Sequence, residues 1–337
     1  MIVESLKKAQ SGRHLTEDEA FGTFREVMNG ETGEAVLAAL LTAMQMDGPD
    51  IAEVTGATRA MRAACLTVRA PECAVDIVGT GGDGLGTFNV STTAAFIAAG
   101  AGVTIAKHGN RASTSKSGAA DCLAALGYDL DTPLEDIERS IRENGIGFLF
   151  ANRCHPAMRH AAPVRKALPF RTVFNLIGPL SNPAGVRRHA LGVYAPEIIP
   201  LYIGALKALG AEKALVFCGP EGLDELGLSG ESRIAELSED GGVREYVFDP
   251  KRFFGSTRPL AAISGGTPEM NARITRKVLS GEERGAYRDA AALNASAAIV
   301  AAGLADSLES GMELAYSAIE SGAALKKLQA LAAKRQP

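Results

Sequence analysis

Val75-Asp76-Ile77-Val78-Gly79-Thr80-Gly81-Gly82-Asp83-Gly84-Leu85-Gly86-Thr87-Phe88-Asn89-Val90-Ser91-Thr92-Thr93 decides the fold. A short β-branched run enters a loop with five glycines in the eight residues from Gly79 to Gly86, and an apolar, alanine-rich segment follows. That order reads as strand, glycine loop, helix. Glycine lets backbone N–H groups approach an anion closely, and Asn89, Ser91 and Thr92 are helix-capping types. The helix start adds free N–H donors and positive partial charge, so the stretch reads as a phosphate cradle. Gly79, Gly81 and Gly84 also satisfy the GxGxxG dinucleotide pattern. A dinucleotide site needs an acidic residue at the end of the next strand to meet the ribose, and this chain offers Lys107-His108 there.

Outward from this unit, Val103-Thr104-Ile105-Ala106, Phe148-Leu149-Phe150-Ala151 and Ala214-Leu215-Val216-Phe217 read as further buried strands, with a helix from Gly118 to Leu126. Repeated strand, loop and helix units imply an α/β domain with a mostly parallel sheet, whose ligands bind at the carboxyl ends of the strands. Glu245–Phe248 and Leu260-Ala261-Ala262-Ile263 read as later strands, and the segments after residue 270 as helices. Residues 1–65 carry no strand alternation. Thr16 with Glu19 forms a capping-box pattern, and Ala35–Leu41 and Asp50–Val54 continue as helices. The expected organisation is a helical domain over 1–70, joined by a helical segment around 157–185, and an α/β domain over 71–337.

Three further segments carry chemistry. Lys107-His108-Gly109-Asn110-Arg111-Ala112-Ser113-Thr114-Ser115-Lys116-Ser117-Gly118 is rich in cations and hydroxyls and reads as a second anion loop, with Arg111 able to fork onto an oxyanion. Cys154-His155-Pro156-Ala157-Met158-Arg159-His160, with Val164-Arg165-Lys166, lacks zinc spacing; an arginine here suits a substrate carboxylate. Asp224-Glu225, after the strand ending at Phe217, suits Mg²⁺, which takes few protein carboxylates beside phosphate oxygens and water.

The chain has 337 residues, and 35 Lys plus Arg against 39 Asp plus Glu give a net charge of −4. That balance argues against general nucleic-acid or anionic-membrane binding. Five scattered cysteines without a CxxC pair argue against a disulfide framework or zinc site. With no apolar leader pattern at the N-terminus, a cytoplasmic setting is expected.

In order along the chain, Gly79–Gly84 (GTGGDG), Asn89–Thr92 (NVST), Lys107–Arg111 (KHGNR), Ser115–Gly118 (SKSG), His155–Met158 (HPAM), Arg171 through Pro183 and Asp224-Glu225 resemble the anthranilate phosphoribosyltransferase family. The resemblance implies a small helical domain, a larger α/β domain of the nucleoside phosphorylase/phosphoribosyltransferase type, and a homodimer. It implies transfer of phosphoribose from phosphoribosyl pyrophosphate to the amine of anthranilate, in tryptophan biosynthesis. By the same resemblance, Gly79, Gly82, Asp83, Thr87, Asn89, Val90, Ser91, Thr92, Lys107, His108, Gly109, Asn110, Arg111, Ala112, Ser113, Thr114 and Ser115 contact phosphoribosyl pyrophosphate, with Ala119 nearby. Gly79, Asn110 and Arg165 contact anthranilate, and Ser91, Asp224 and Glu225 hold Mg²⁺, expected as two ions. No residue is assigned as general acid or base. Ala112, Ala119, Pro169 and Gly227 depart from the family's usual residues.

Two other readings are weighed. A pyrimidine nucleoside phosphorylase-like enzyme would carry a Gly-Gly-x-Gly-Asp-Lys loop, whereas Thr87-Phe88-Asn89-Val90-Ser91-Thr92 stands downstream here. A non-catalytic nucleic-acid-binding homologue would bring a basic surface and relaxed KHGNR and Asp-Glu motifs.

Overall fold

The computed structural model describes residues 1–112 and 115–332. Its contacts divide it into two compact units. The helical unit comprises Met1–Thr67, Ala151–Gly185 and Pro200–Gly210. Its first helices are α1 (Ile2–Gln10), α2 (Glu17–Asn29), α3 (Glu34–Asp47) and α4 (Ile51–Ala63). The Thr16 hydroxyl accepts the Glu19 amide of α2 at 3.3 Å, and the Glu19 carboxylate accepts the Thr16 amide at 2.8 Å, closing the expected capping box. Asp50 and Glu53 do the same for α4. Leu15, Phe24, Leu37, Leu40, Leu41 and Val54 form the apolar interior of this bundle. Short helices at Ala162–Ala167 and Val173–Ile177 belong to it as well.

The α/β unit comprises Val68–Phe150, Val186–Ile199 and Ala211–Pro337, of which the structure describes residues up to 332. Its strands are β1 (Val75–Gly79), β2 (Ile105–Gly109), β3 (Ile146–Phe150), β4 (Arg188–Gly192), β5 (Lys213–Cys218), β6 (Ser232–Leu237) and β7 (Val243–Phe248). They form one sheet in the order β3-β2-β1-β4-β5-β6-β7. The first five are mutually parallel; β6 and β7 add an antiparallel edge. Strand order reverses between β1 and β4, the position where open α/β sheets leave a ligand crevice. α5 (Val90–Gly100) follows the glycine loop, α6 (Ala119–Ala125) follows the second loop, and α7 (Leu134–Asn144) leads into β3. Buried alanines on α5 and on the helix Ala286–Ala301 build much of the core. Their small side chains let backbones pack closely, as at Gly100, where an added Cβ would stand 2.6 Å from the Ala324 amide nitrogen.

Two expectations need correcting. Leu260–Ile263 is a 3₁₀ turn, entered by Pro259 and closed by the Ala262 amide on the Pro259 carbonyl at 2.9 Å. A four-residue apolar run has too little periodicity to separate strand from helix. Lys107 and His108 lie inside β2 rather than in the loop after it, and both are buried.

Candidate active site

The glycine loop leaves β1 with Gly81, Gly82, Gly84 and Gly86 all at positive φ, between 68° and 75°. Four left-handed positions in six residues explain why the loop needs glycine. It docks on the 3₁₀ turn through Phe88 N–H to the Ile263 carbonyl at 3.0 Å and Gly265 N–H to the Gly86 carbonyl at 2.8 Å. Thr87 forms a single β-bridge with Ser264.

Asp224 and Glu225 reach this loop from the segment after β5. Space for them is made at the ends of β1 and β4. A Cβ at Gly79 would stand 2.3 Å from Asp224 Oδ2, and one at Gly192 would stand 1.8 Å from the Asp224 carbonyl oxygen. Buried Asn294 grips the next residue at both ends, accepting from Leu226 N–H at 2.8 Å and donating to its carbonyl at 3.0 Å. Gly227 leaves room for Pro220, whose Cδ would lie 2.4 Å from an added Cβ, and its amide is met by Ser232 Oγ at 3.0 Å. Glycine at 227 thus makes room for Pro220 just after the acid pair.

The carboxylates meet the cradle's own donors. Asp224 Oδ2 accepts from Gly81 N–H at 2.6 Å, and Glu225 Oε1 accepts from Ser91 N–H at 2.9 Å, in the first turn of α5. Asp83 joins them, leaving its Oδ2 buried with no hydrogen-bond partner among the described residues. Burial, then the charge of Asp83, pushes the Asp224 carboxyl up to about 7. Burial, then Asp224, pushes Glu225 up to about 8 despite the opposing pull of Lys107. Carboxylates crowded so closely that Asp83 raises Asp224 and Asp224 raises Glu225 call for a cation. The donors are hard oxygens, as Mg²⁺ prefers, and the orphaned Asp83 oxygen adds to the fit.

Lys107 points into the same cluster. Its ammonium donates to the Ile77 carbonyl and lies 3.4 Å from Ser91 Oγ. Burial lowers its pKa, opposed by Asp76, Glu225 and Asp224. Between β1 and β2 the ladder holds at Val75–Ile105, and beyond it the buried Asp76 carboxylate accepts from His108 N–H at 3.0 Å. Asp76 was not among the expected site residues.

The second loop is joined to the first through Asn89. This residue occupies the N-cap position of α5, yet its side chain makes no cap bond. Its amide donates to the Ser117 carbonyl at 3.1 Å, and its Oδ1 accepts from Ser117 Oγ at 3.0 Å and Asn271 Nδ2 at 2.8 Å. The capping expected of Asn89 is thus replaced by a bridge between loops. Gly109 is held against Phe148 and Ala119; a Cβ there would meet the Ala119 Cβ at 3.1 Å. Arg111 spends its guanidinium on Asp121, at 2.9 Å, and lies over the Phe150 ring with 5.7 Å to the centroid. Ser113 and Thr114 lie outside the described residues.

Arg165 belongs to the helical unit, where its guanidinium lies over the Phe174 ring at 5.4 Å from the centroid. His155 is buried, and that burial pushes its imidazole down to about 4, so it is neutral at pH 7. Pro169 follows the end of the Ala162–Ala167 helix, where Leu168 is already extended.

Sequence profiles place both parts of the chain in one class. Residues 72–325 match the glycosyl transferase family a/b domain, and residues 3–65 match the helical bundle domain of the glycosyl transferase family. An anthranilate phosphoribosyltransferase of Rubrobacter xylanophilus is 52% identical over 329 residues, covering 98% of this chain and 96% of that protein. The crystal structure of anthranilate phosphoribosyltransferase from Thermus thermophilus superposes with a TM-score of 0.92 at 46% identity, covering 97% of this chain and 98% of that one. The Saccharomyces cerevisiae enzyme, in complex with phosphoribosyl pyrophosphate and Mg, matches with a TM-score of 0.89 at 29% identity over 98% of this chain and 96% of that one. The chain belongs to the anthranilate phosphoribosyltransferase family.

Proposed function

We propose that this protein transfers the phosphoribosyl group of phosphoribosyl pyrophosphate to the amine of anthranilate, releasing pyrophosphate, in tryptophan biosynthesis. One observation carries the assignment to the strand-end site of the α/β unit. The raised carboxylates of Asp224 and Glu225 rest on the N–H groups of Gly81 and Ser91, where a metal–polyphosphate group would take their place. Family membership and the yeast relative's complex support the substrates and the metal.

In this reading the C1–N bond to the aromatic amine forms as the C1–O bond to pyrophosphate breaks. The amine is neutral at pH 7 and gives up its proton after attack, so no strong base is assigned. Gly79, Gly82, Asp83, Thr87, Asn89 to Thr92, Lys107 to Asn110, Ala112 to Ser115 and Ala119 are assigned to phosphoribosyl pyrophosphate, whereas Arg111, which the resemblance also implies, has its guanidinium paired with Asp121 at 2.9 Å. Asp224, Glu225 and Ser91 hold Mg²⁺, as two ions. Bound Mg²⁺ offsets charge developing on the leaving pyrophosphate. Gly79, Asn110 and Arg165 orient anthranilate, a proximity effect. The homodimer is proposed on the resemblance, and the cytoplasmic setting on five scattered cysteines without a CxxC pair. Among the described residues, no helix is long and apolar enough to cross a membrane.

The test is loss of anthranilate fluorescence in the presence of phosphoribosyl pyrophosphate and Mg²⁺, with product mass confirming addition of phosphoribose. Absence of turnover by folded protein would refute the reading. Arg165→Ala is expected to raise the KM for anthranilate about tenfold or more while leaving that for phosphoribosyl pyrophosphate little changed. The reverse pattern would show the two substrates misassigned.

A further inference from the structure

Asp121, in the first turn of α6, draws together two pieces of chain that flank the second loop. Its Oδ2 accepts from Ala112 N–H at 2.9 Å and from Gly118 N–H at 3.0 Å. Its Oδ1 accepts from Arg111 Nη1 at 2.9 Å. Beside this, Ala120 N–H donates to the Asn110 carbonyl at 3.1 Å. The approach is tight enough to require glycine at 118. A Cβ there would lie 2.3 Å from the Ala112 nitrogen, 2.4 Å from the Arg111 carbonyl carbon and 2.7 Å from the Asn110 oxygen. Burial alone would raise the Asp121 carboxyl, but the donors from Ala112, Gly118 and Arg111 outweigh it and hold the group below the usual carboxylate range.

A negative side chain this close to an anion loop is unfavourable unless it is neutralised and structurally needed. Both conditions hold. Arg111 supplies the counter-charge, and the two amides of Ala112 and Gly118 have Asp121 as their acceptor. The Arg111 guanidinium, assigned from sequence to the phosphates, is already engaged with a carboxylate on one side and the Phe150 ring on the other.

We propose that Asp121 is a positioning residue for phosphoribosyl pyrophosphate binding, clipping Ala112 to Gly118, and that Arg111 acts through Asp121 as its counter-ion rather than on the phosphates. The inference rests on the phosphoribosyl-transfer reading. The clip fixes the separation of the Asn110–Ala112 backbone from the start of α6 before substrate arrives. Preset geometry lowers the ordering cost of binding, so its loss should appear in KM for the sugar pyrophosphate and much less in kcat.

The test is a double-mutant cycle with Asp121→Asn and Arg111→Lys, read by separate KM values and kcat. Asparagine keeps the size but has one acceptor oxygen for three donors. Asp121→Asn should raise the KM for phosphoribosyl pyrophosphate about tenfold, with kcat and the anthranilate KM within about twofold. Arg111→Lys should raise it less, and the double variant should match Asp121→Asn alone, because one unit has been broken. Effects that multiply would place Arg111 on the phosphates directly and overturn the proposal. An unchanged KM in Asp121→Asn, or a parallel loss in kcat and both KM values, would overturn it too. Amide hydrogen exchange gives a readout independent of turnover: exchange at Ala112 and Gly118 should accelerate in Asp121→Asn while the core strands stay protected. If the wild type fails to turn over, the activity reading falls, whereas exchange and calorimetric binding of inorganic pyrophosphate still decide the clip. Unchanged exchange at both amides would refute it.

Discussion

Two buried glutamates, one in each unit, sit at helix starts and differ in what surrounds them. Glu53, in the first turn of α4, accepts Leu15 N–H at 2.9 Å and Asp50 N–H at 3.0 Å and faces His14 Nδ1 at 3.0 Å. Its oxygens are met from within the bundle. Glu225 accepts the Ser91 amide at the start of α5, but its neighbour is Asp224, and Asp83 lies beyond. The first carboxylate completes a capping box and ties the segment before α2 to α4. The second stands beside Asp224, which raises it, as Asp83 in turn raises Asp224. A buried carboxylate saturated with donors serves the fold, and one crowded by other carboxylates is arranged for a cation.

The comparison can be broken most severely at the acid pair. Asp224→Asn with Glu225→Gln should lower turnover at least about 100-fold, since the charge that stabilises pyrophosphate departure loses its anchor. The same double variant should melt no lower than wild type in metal-free buffer, because buried mutual repulsion is removed. Glu53→Ala should behave in the opposite way. It leaves the Leu15 and Asp50 amides without their acceptor and should cost about 3 kcal/mol in urea unfolding, with kcat little changed. If Glu53→Ala spared stability, the distinction between the two carboxylates would fail.

A smaller effect follows from pH. The unfolded carboxyls titrate near 4, whereas Asp224 is held up to about 7 and Glu225 up to about 8. Between these limits the folded state holds more protons than the unfolded state. This pair's contribution therefore makes metal-free stability fall as pH rises from about 4 to 8 and level off above. Urea midpoints at pH 5.5 and 8 should show that decline in wild type, and a shallower one in the Asp224→Asn, Glu225→Gln protein. Equal slopes would mean the two groups ionise normally.

Much of this arrangement was legible in the chain. Glycines from 79 to 86 needed positive φ, and Thr16 with Glu19 formed the cap their spacing promised. Strand and helix alternation led to the parallel sheet. Less legible was anything set by distant partners. Asn89 is a capping type, but Ser117 and Asn271 claim its side chain from 28 and 182 residues away. Asn294 fixes Leu226 across 68 residues, and Asp76 reaches the His108 amide across 32. Lys107 and His108 looked like loop residues because polar side chains ended an apolar run. Burial among carboxylates lets β2 carry them inside the sheet.

Calorimetric titration of phosphoribosyl pyrophosphate into wild type and the Asp224→Asn, Glu225→Gln protein, each with and without Mg²⁺, tests the role of the acid pair most directly. Wild type should bind more tightly when Mg²⁺ is present, and the variant should lose that dependence while remaining folded. Equal Mg²⁺ dependence in both proteins would contradict the assignment of the cation to Asp224 and Glu225.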